Sequence, residues 1–180
     1  MESLLLIIDP QNDFTHIKGR YAMNHGITQI LKVKANINLL LSSFKHPKAI
    51  VMADYHHGQF EEGVSLAVPG TFGHQIDAEI VLLNDVPVWT KNEHSCLTSK
   101  VFSDALTGMK IDTILICGFL AEYCVRQTAL DALKLGYDII MVKDCIGTGD
   151  DVQHRREQLL KEIKGLGGKI LTMHECLKLS

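Results

Sequence analysis

The feature that most constrains this chain is a repeated alternation: short apolar runs take turns with longer amphipathic segments from one end to the other. Ser3–Ile8 is apolar after its first residue, as a strand buried on both faces requires. Between positions 27 and 44, Ile27, Ile30, Leu31, Val33, Ile37, Leu40 and Leu41 recur at helical spacing. Further apolar runs predict strands at 49–53, 87–90, 113–117, 138–142 and 169–172. Helices are predicted at 122–135, stopping at Gly136, and at 152–166. This order predicts an α/β protein, a three-layer α/β/α arrangement around a mostly parallel six-stranded sheet. With 180 residues and no internal repeat, low-complexity tract or linker, a single domain over 1–180 is expected.

Composition narrows the function classes. Hydrophobic residues make up 46% and charged ones 22%, enough apolar content for a substantial core. The net charge is −3, and the longest basic run is the pair Arg155-Arg156. That argues against a nucleic-acid footprint and against a polybasic membrane patch. The apolar run at the N-terminus ends at Asp9 and Pro10, too early for a signal peptide or a membrane span. Five scattered cysteines with no CxxC pair fit neither a disulfide framework nor a structural zinc site. A reduced, cytoplasmic protein is expected.

In parallel sheets chemistry collects at the carboxyl ends of the strands. Asp9 closes the first predicted strand, Lys91 follows the third, and Cys124 follows the fourth at the start of a helix. Taken singly, each has a plain reading: a turn cap, a solvated lysine, a small buried hydrophobe. Together they bring a carboxylate, an ammonium and a thiol toward one place. A helix N-terminus and a neighbouring lysine both favour a thiolate, and a carboxylate can take its proton. His154, Arg155 and Arg156 read as the solvated face of a helix, and Cys117, Cys145 and Cys176 as structural. Cys96 follows the lysine loop and is the one other cysteine placed to approach Cys124.

Several segments, in order, resemble the isochorismatase-like cysteine hydrolases, the superfamily of nicotinamidase and N-carbamoylsarcosine amidohydrolase. LLLIIDPQNDF resembles the opening strand, MADYH (52–56) the DWH segment, and PGTFGHQI (69–76) the PGTxGxxI stretch. GFLAEYCVRQTALDALKLGYDIIMVKDC (118–145) resembles the most diagnostic segment. The resemblance implies an isochorismatase-like, Rossmann-like fold with Asp9, Lys91 and Cys124 as catalytic triad. It implies a cis peptide between Leu120 and Ala121, and an oxyanion hole from the backbone N–H groups of Ala121 and Cys124. The implied reaction is hydrolysis of the C–N bond of a small amide, carbamoyl or ureido substrate through a thioester. A cysteine at 124 argues against the vinyl-ether cleavage of authentic isochorismatases, which lack it.

Two alternatives stay open: a metal-assisted nicotinamidase or pyrazinamidase, and a non-catalytic member that binds a small molecule. For the metal, Asp54 and His56 match the first two ligands, whereas the position of a later histidine falls on Leu66, and His57 and His74 stand at non-matching positions. No cofactor is therefore required, a divalent metal such as zinc would meet an incomplete site, and the preferred role of Asp54 and His56 is to brace the pocket wall by hydrogen bonds. Phe14, Tyr123 and His94 are candidate pocket walls. A homo-oligomer, dimer or tetramer, is expected by analogy with the family, with a small-molecule amide as partner and neither nucleic acid nor membrane.

Overall fold

In the computed structural model, which describes residues 2–179, six strands form one sheet. They are β1 (Ser3–Ile8), β2 (Lys48–Ala53), β3 (Val88–Lys91), β4 (Thr113–Phe119), β5 (Asp138–Gly147) and β6 (Lys169–Leu171). Their order is β3-β2-β1-β4-β5-β6, and every neighbouring pair is parallel. Parallel strands need crossover connections, and these carry the helices α1 (Asn12–Thr15), α2 (Arg20–His25), α3 (Thr28–Ser43), α4 (Lys100–Gly108), α5 (Arg126–Lys134) and α6 (Gln153–Gly165), with α7 (Met173–Leu177) last. From β1 the chain first builds outward through β2 and β3, then returns to build the other half from β4. Right-handed crossovers in opposite directions put α3 on one face and α5 and α6 on the other. The continuous apolar character of β1 and β4 follows, since both lie inside the sheet with both faces covered.

The sequence-based strands and helices fall where the pattern puts them, with instructive differences. β4 and β5 run beyond the predicted spans, to Phe119 and Gly147. The charged pair Lys143 and Asp144 interrupts the apolar run, but pairing resumes at Gly118 with Ile146 after a register shift. The segment 122–135 is not one α-helix: Ala121–Val125 forms a wide, π-helical turn that feeds α5. Helices α1, α2, α4 and α7 escaped the pattern because each presents only a few buried residues, Phe102 and Leu106 in the case of α4.

The reversal of strand order falls between β1 and β4, where a doubly wound sheet opens a crevice at its carboxyl edge. Two backbone features shape it. Gly118 has φ +116°, and a Cβ there would meet the Ile8 carbonyl oxygen of the adjoining strand at 2.2 Å. Only glycine lets β4 pass β1 this closely. Asp9, just past β1, has φ +49°, a left-handed conformation that aspartate tolerates better than most residues. Such a bend redirects the chain at the very point where β1 ends.

Candidate active site

Asp9 leaves the end of β1, Lys91 is the last residue of β3, and Cys124 sits in the wide turn after β4. The three meet at the crevice. Lys91 Nζ donates to Asp9 Oδ2 at 3.0 Å and lies 3.4 Å from Cys124 Sγ. All are deeply buried, Lys91 with 1% of its surface exposed and Cys124 with 4%. Asp9 Oδ1 has no hydrogen-bond partner among the described residues.

The electrostatics are those of a dry, coupled cluster. Burial pushes the Asp9 carboxyl up, against the pull of the Lys91 ammonium. Burial is the largest influence on Lys91 and works against its charge, yet Asp9, Cys124 and Cys96 together outweigh it and hold the ammonium above the ordinary lysine range. Cys124 is pushed up by burial and by Asp9, and the opposing effects of Lys91 and of a hydrogen bond from Tyr55 do not cancel them. Against the helix and lysine that favour a thiolate, burial and Asp9 thus favour the neutral thiol at Cys124. A carboxylate made more basic by burial stands beside it, so a proton can pass from sulfur to Asp9 when an electrophile arrives.

The sequence DPQNDF is the frame of this site. Gln11 Nε2 donates to the carbonyls of Ala53 and His74, both at 2.9 Å, and Gln11 Oε1 accepts the Ala53 N–H at 2.8 Å. Asn12 Nδ2 donates to the Phe72 carbonyl at 2.9 Å, and Asp13 Oδ2 accepts the Ala67 N–H at 2.8 Å. Three consecutive polar side chains thus tie the end of β2 and the loop 66–76 to the segment that follows Asp9. Buried polar groups are tolerated because each is satisfied.

A cavity of about 790 Å³ opens beside Cys124, with Phe14, Tyr55, Phe60, His94, Leu120 and Tyr123 among its walls. Phe14, Tyr123 and His94, singled out from the sequence, all line it. His94 stacks on Phe60 with ring centroids 4.3 Å apart and planes 12° apart, and its Nδ1 is 3.7 Å from Cys124 Sγ. Burial and the Lys91 charge push the His94 imidazole down, so it is neutral at physiological pH. Tyr55 was not singled out from the sequence, although its hydroxyl touches both Lys91 and Cys124. Its signal was the aromatic letter inside MADYH, directly after β2.

A family model described as the isochorismatase domain matches residues 3–175. The chain belongs to the isochorismatase domain family. Within it, the chain is 26% identical to a nicotinamidase of Escherichia coli K12 over 204 residues, covering 94% of both chains. It is 26% identical over 160 residues to a secreted isochorismatase effector of Verticillium dahliae, covering 89% of this chain and 80% of that one. It is 24% identical over 183 residues to an Arabidopsis thaliana protein named a probable inactive nicotinamidase, covering 95% and 92%. In fold it superposes on N-carbamoylsarcosine amidase of Thermoplasma acidophilum with a TM-score of 0.80 at 23% identity, over 96% and 97% of the two chains. The family's six-stranded parallel sheet with flanking helices is the fold seen here.

Several expectations for this family member need correction. The cis peptide joins Phe119 to Leu120, one residue earlier than expected, because β4 ends at Phe119 and the bend begins there. Asp54 pairs with His74 rather than with His56: His74 Nε2 and Asp54 Oδ1 are in close contact. His74 stood at a non-matching position in the sequence, and the loop 66–76, tied down by Gln11 and Asn12, carries it back to the end of β2. His56 is exposed and lines the cavity instead. No group of three histidine, cysteine, aspartate or glutamate residues able to hold a metal ion occurs among the described residues. Of the expected solvated face, His154 is exposed and the Arg155 side chain is 39% exposed, but both arginines also make contacts. Arg155 reaches Glu122 at 3.3 Å and Arg156 Nε donates to the Ile146 carbonyl at 3.0 Å, because α6 packs against the wide turn and β5. Cys96 is fully buried, and burial pushes its thiol up to about 12. No helix among the described residues is long and apolar enough to cross a membrane.

Proposed function

We propose that the protein is a cysteine hydrolase cleaving the C–N bond of a small amide, carbamoyl or ureido compound. The observation that carries this reading is the contact of Lys91 Nζ with both Asp9 Oδ2 and Cys124 Sγ at the edge of the cavity. The Cys124 proton moves to Asp9 as sulfur attacks the carbonyl carbon, and Lys91 holds the charges that result. Oxygen gains negative charge beside the wide turn. The backbone hydrogen bonds that close this turn run from Tyr123 and Val125 to the Leu120 carbonyl and from Arg126 to the Ala121 carbonyl. They leave the N–H of Ala121 for the oxyanion, alongside that of Cys124. Protonated Asp9 then gives its proton to the departing ammonia or amine. Water, losing a proton to the same carboxylate, attacks the thioester carbon; the acid leaves and sulfur recovers its proton. No step passes through a metal.

Five free, buried cysteines favour a reducing compartment as the place of action, and we propose the cytoplasm. The test is ammonia release from a panel of small amides, ureas and carbamoyl compounds, with nicotinamide among them and Cys124→Ala as the blank. Turnover that disappears in the blank is expected. Metal-dependent turnover of nicotinamide alone would favour the nicotinamidase reading. Tight binding of a panel member without turnover, unchanged in Cys124→Ala, would leave a binding protein.

A further inference from the structure

Tyr55 sits in the site without a part in the scheme above. It follows β2 and Asp54, is 4% exposed, and packs edge-on against Phe60 at 4.8 Å between centroids. Its hydroxyl oxygen is 3.0 Å from Lys91 Nζ and 3.1 Å from Cys124 Sγ. A hydroxyl has one proton to give, whereas an ammonium can only donate. Lys91 must therefore be the donor to the Tyr55 oxygen, and the phenolic proton is left for another acceptor. Two acceptors are in range, the sulfur and the Glu93 carbonyl at 3.5 Å, and the carbonyl is the poorer by distance. The geometry points to a short relay, Lys91 N–H to Tyr55 oxygen and Tyr55 O–H to Cys124 sulfur.

We propose that Tyr55 is a fourth catalytic residue, a hydrogen-bond donor that stabilises Cys124 sulfur as negative charge forms on it during attack and again when the thioester breaks. The hydroxyl keeps its proton throughout. Burial and the nearby Asp9 and Cys124 push it far above the ordinary phenol range, so it donates at every working pH, and the ammonium behind it sharpens the donor. The groups that face the sulfur are then Asp9, which opposes negative charge there, Lys91 and Tyr55, which favour it, and neutral His94. Without Tyr55, Lys91 would be the one side chain among those named that favours charge on sulfur.

The proposal rests on the hydrolase reading for its effect on turnover, but its main test needs no substrate. In the full-length protein, the iodoacetamide alkylation rate of Cys124 is followed against pH by peptide mass, with the other four cysteines as internal control. Tyr55→Phe keeps the ring and its contact with Phe60. Its alkylation rate should be roughly ten-fold lower at each pH between about 6 and 9, the size of one lost charge-assisted hydrogen bond. On a turned-over amide, kcat should fall about ten-fold with KM little changed. A folded Tyr55→Phe protein whose alkylation profile overlays the wild type overturns the proposal, whatever the substrate panel shows. If that variant fails to fold, 3-fluorotyrosine at position 55 retains the contact and strengthens the donor. The alkylation rate should then rise at each pH, and an unchanged rate again overturns the proposal. A shifted profile with no turnover of any amide would keep Tyr55 and remove the hydrolase.

Discussion

The floor and the mouth of the cavity are built from opposite materials. Asp9, Tyr55, Lys91 and Cys124 on the floor are each at most 4% exposed and come from the ends of strands or the turns directly after them. At the mouth, Phe60, Val64 and Tyr123 are between 42% and 48% exposed. The floor is held by contacts whose partners are up to 82 residues apart in sequence, and moving any one group disturbs the others. The mouth lies largely on the loop between β2 and β3, where side chains face water and can change without disturbing the sheet. On the proposed function, chemistry would be carried by the part of the molecule least free to vary, and selection among ligands by the part most free.

The largest effect that would break this contrast comes from Lys91→Met. It strips the cation from a buried pair and leaves Asp9 with an uncompensated carboxylate, a loss of about 3–5 kcal/mol. Urea unfolding should show a loss of that order, and ammonia release should vanish. Stability within about 1 kcal/mol of wild type would mean that the floor is not held by its charges.

A second buried pair gives a pH test. Asp77 accepts from Lys34 Nζ at 2.9 Å and from Thr15 Oγ1 at 2.7 Å. Although burial pushes its carboxyl up, these bonds and the Glu79 N–H win and hold it below the usual value of 3.8. Because the folded pKa is depressed, this stabilisation is fully present above the unfolded value and is lost as pH falls through the folded one. Unfolding free energy measured between about pH 6 and pH 2 should therefore fall less steeply at the acid end in Asp77→Asn than in the wild type. Equal acid slopes would remove Asp77 as a contributor.

At the mouth, His94→Ala should raise KM about ten-fold for a turned-over amide while kcat stays within about three-fold, because a wall is lost rather than a proton carrier. A collapse of kcat instead would move His94, 3.7 Å from the sulfur, from the mouth to the floor. The smallest effect is expected at Lys100, whose pair with Asp104 is open to water. Lys100→Ala should change unfolding free energy by no more than about 0.5 kcal/mol in denaturant titration.

Much of the fold was legible from position 1 onward. Apolar runs such as LLLII and TILIC can be covered on both faces only as inner strands of a parallel sheet, so the alternating order of elements was enough to specify the architecture. Asp9, Lys91 and Cys124 were legible for a related reason: each stands where an apolar run stops, and strand ends of such sheets converge. What only the tertiary structure decided were contacts between groups with no common period. The bond from Tyr55 to Cys124, the pairing of His74 with Asp54, and the reach of Arg155 to Glu122 join positions 69, 20 and 33 residues apart. They depend on where a loop returns and which way a side chain points, and no local pattern records either. The protonation of Cys124 belongs with them. Helix and lysine, which a sequence displays, favour the thiolate, whereas burial, which a sequence does not measure, pushes the thiol up.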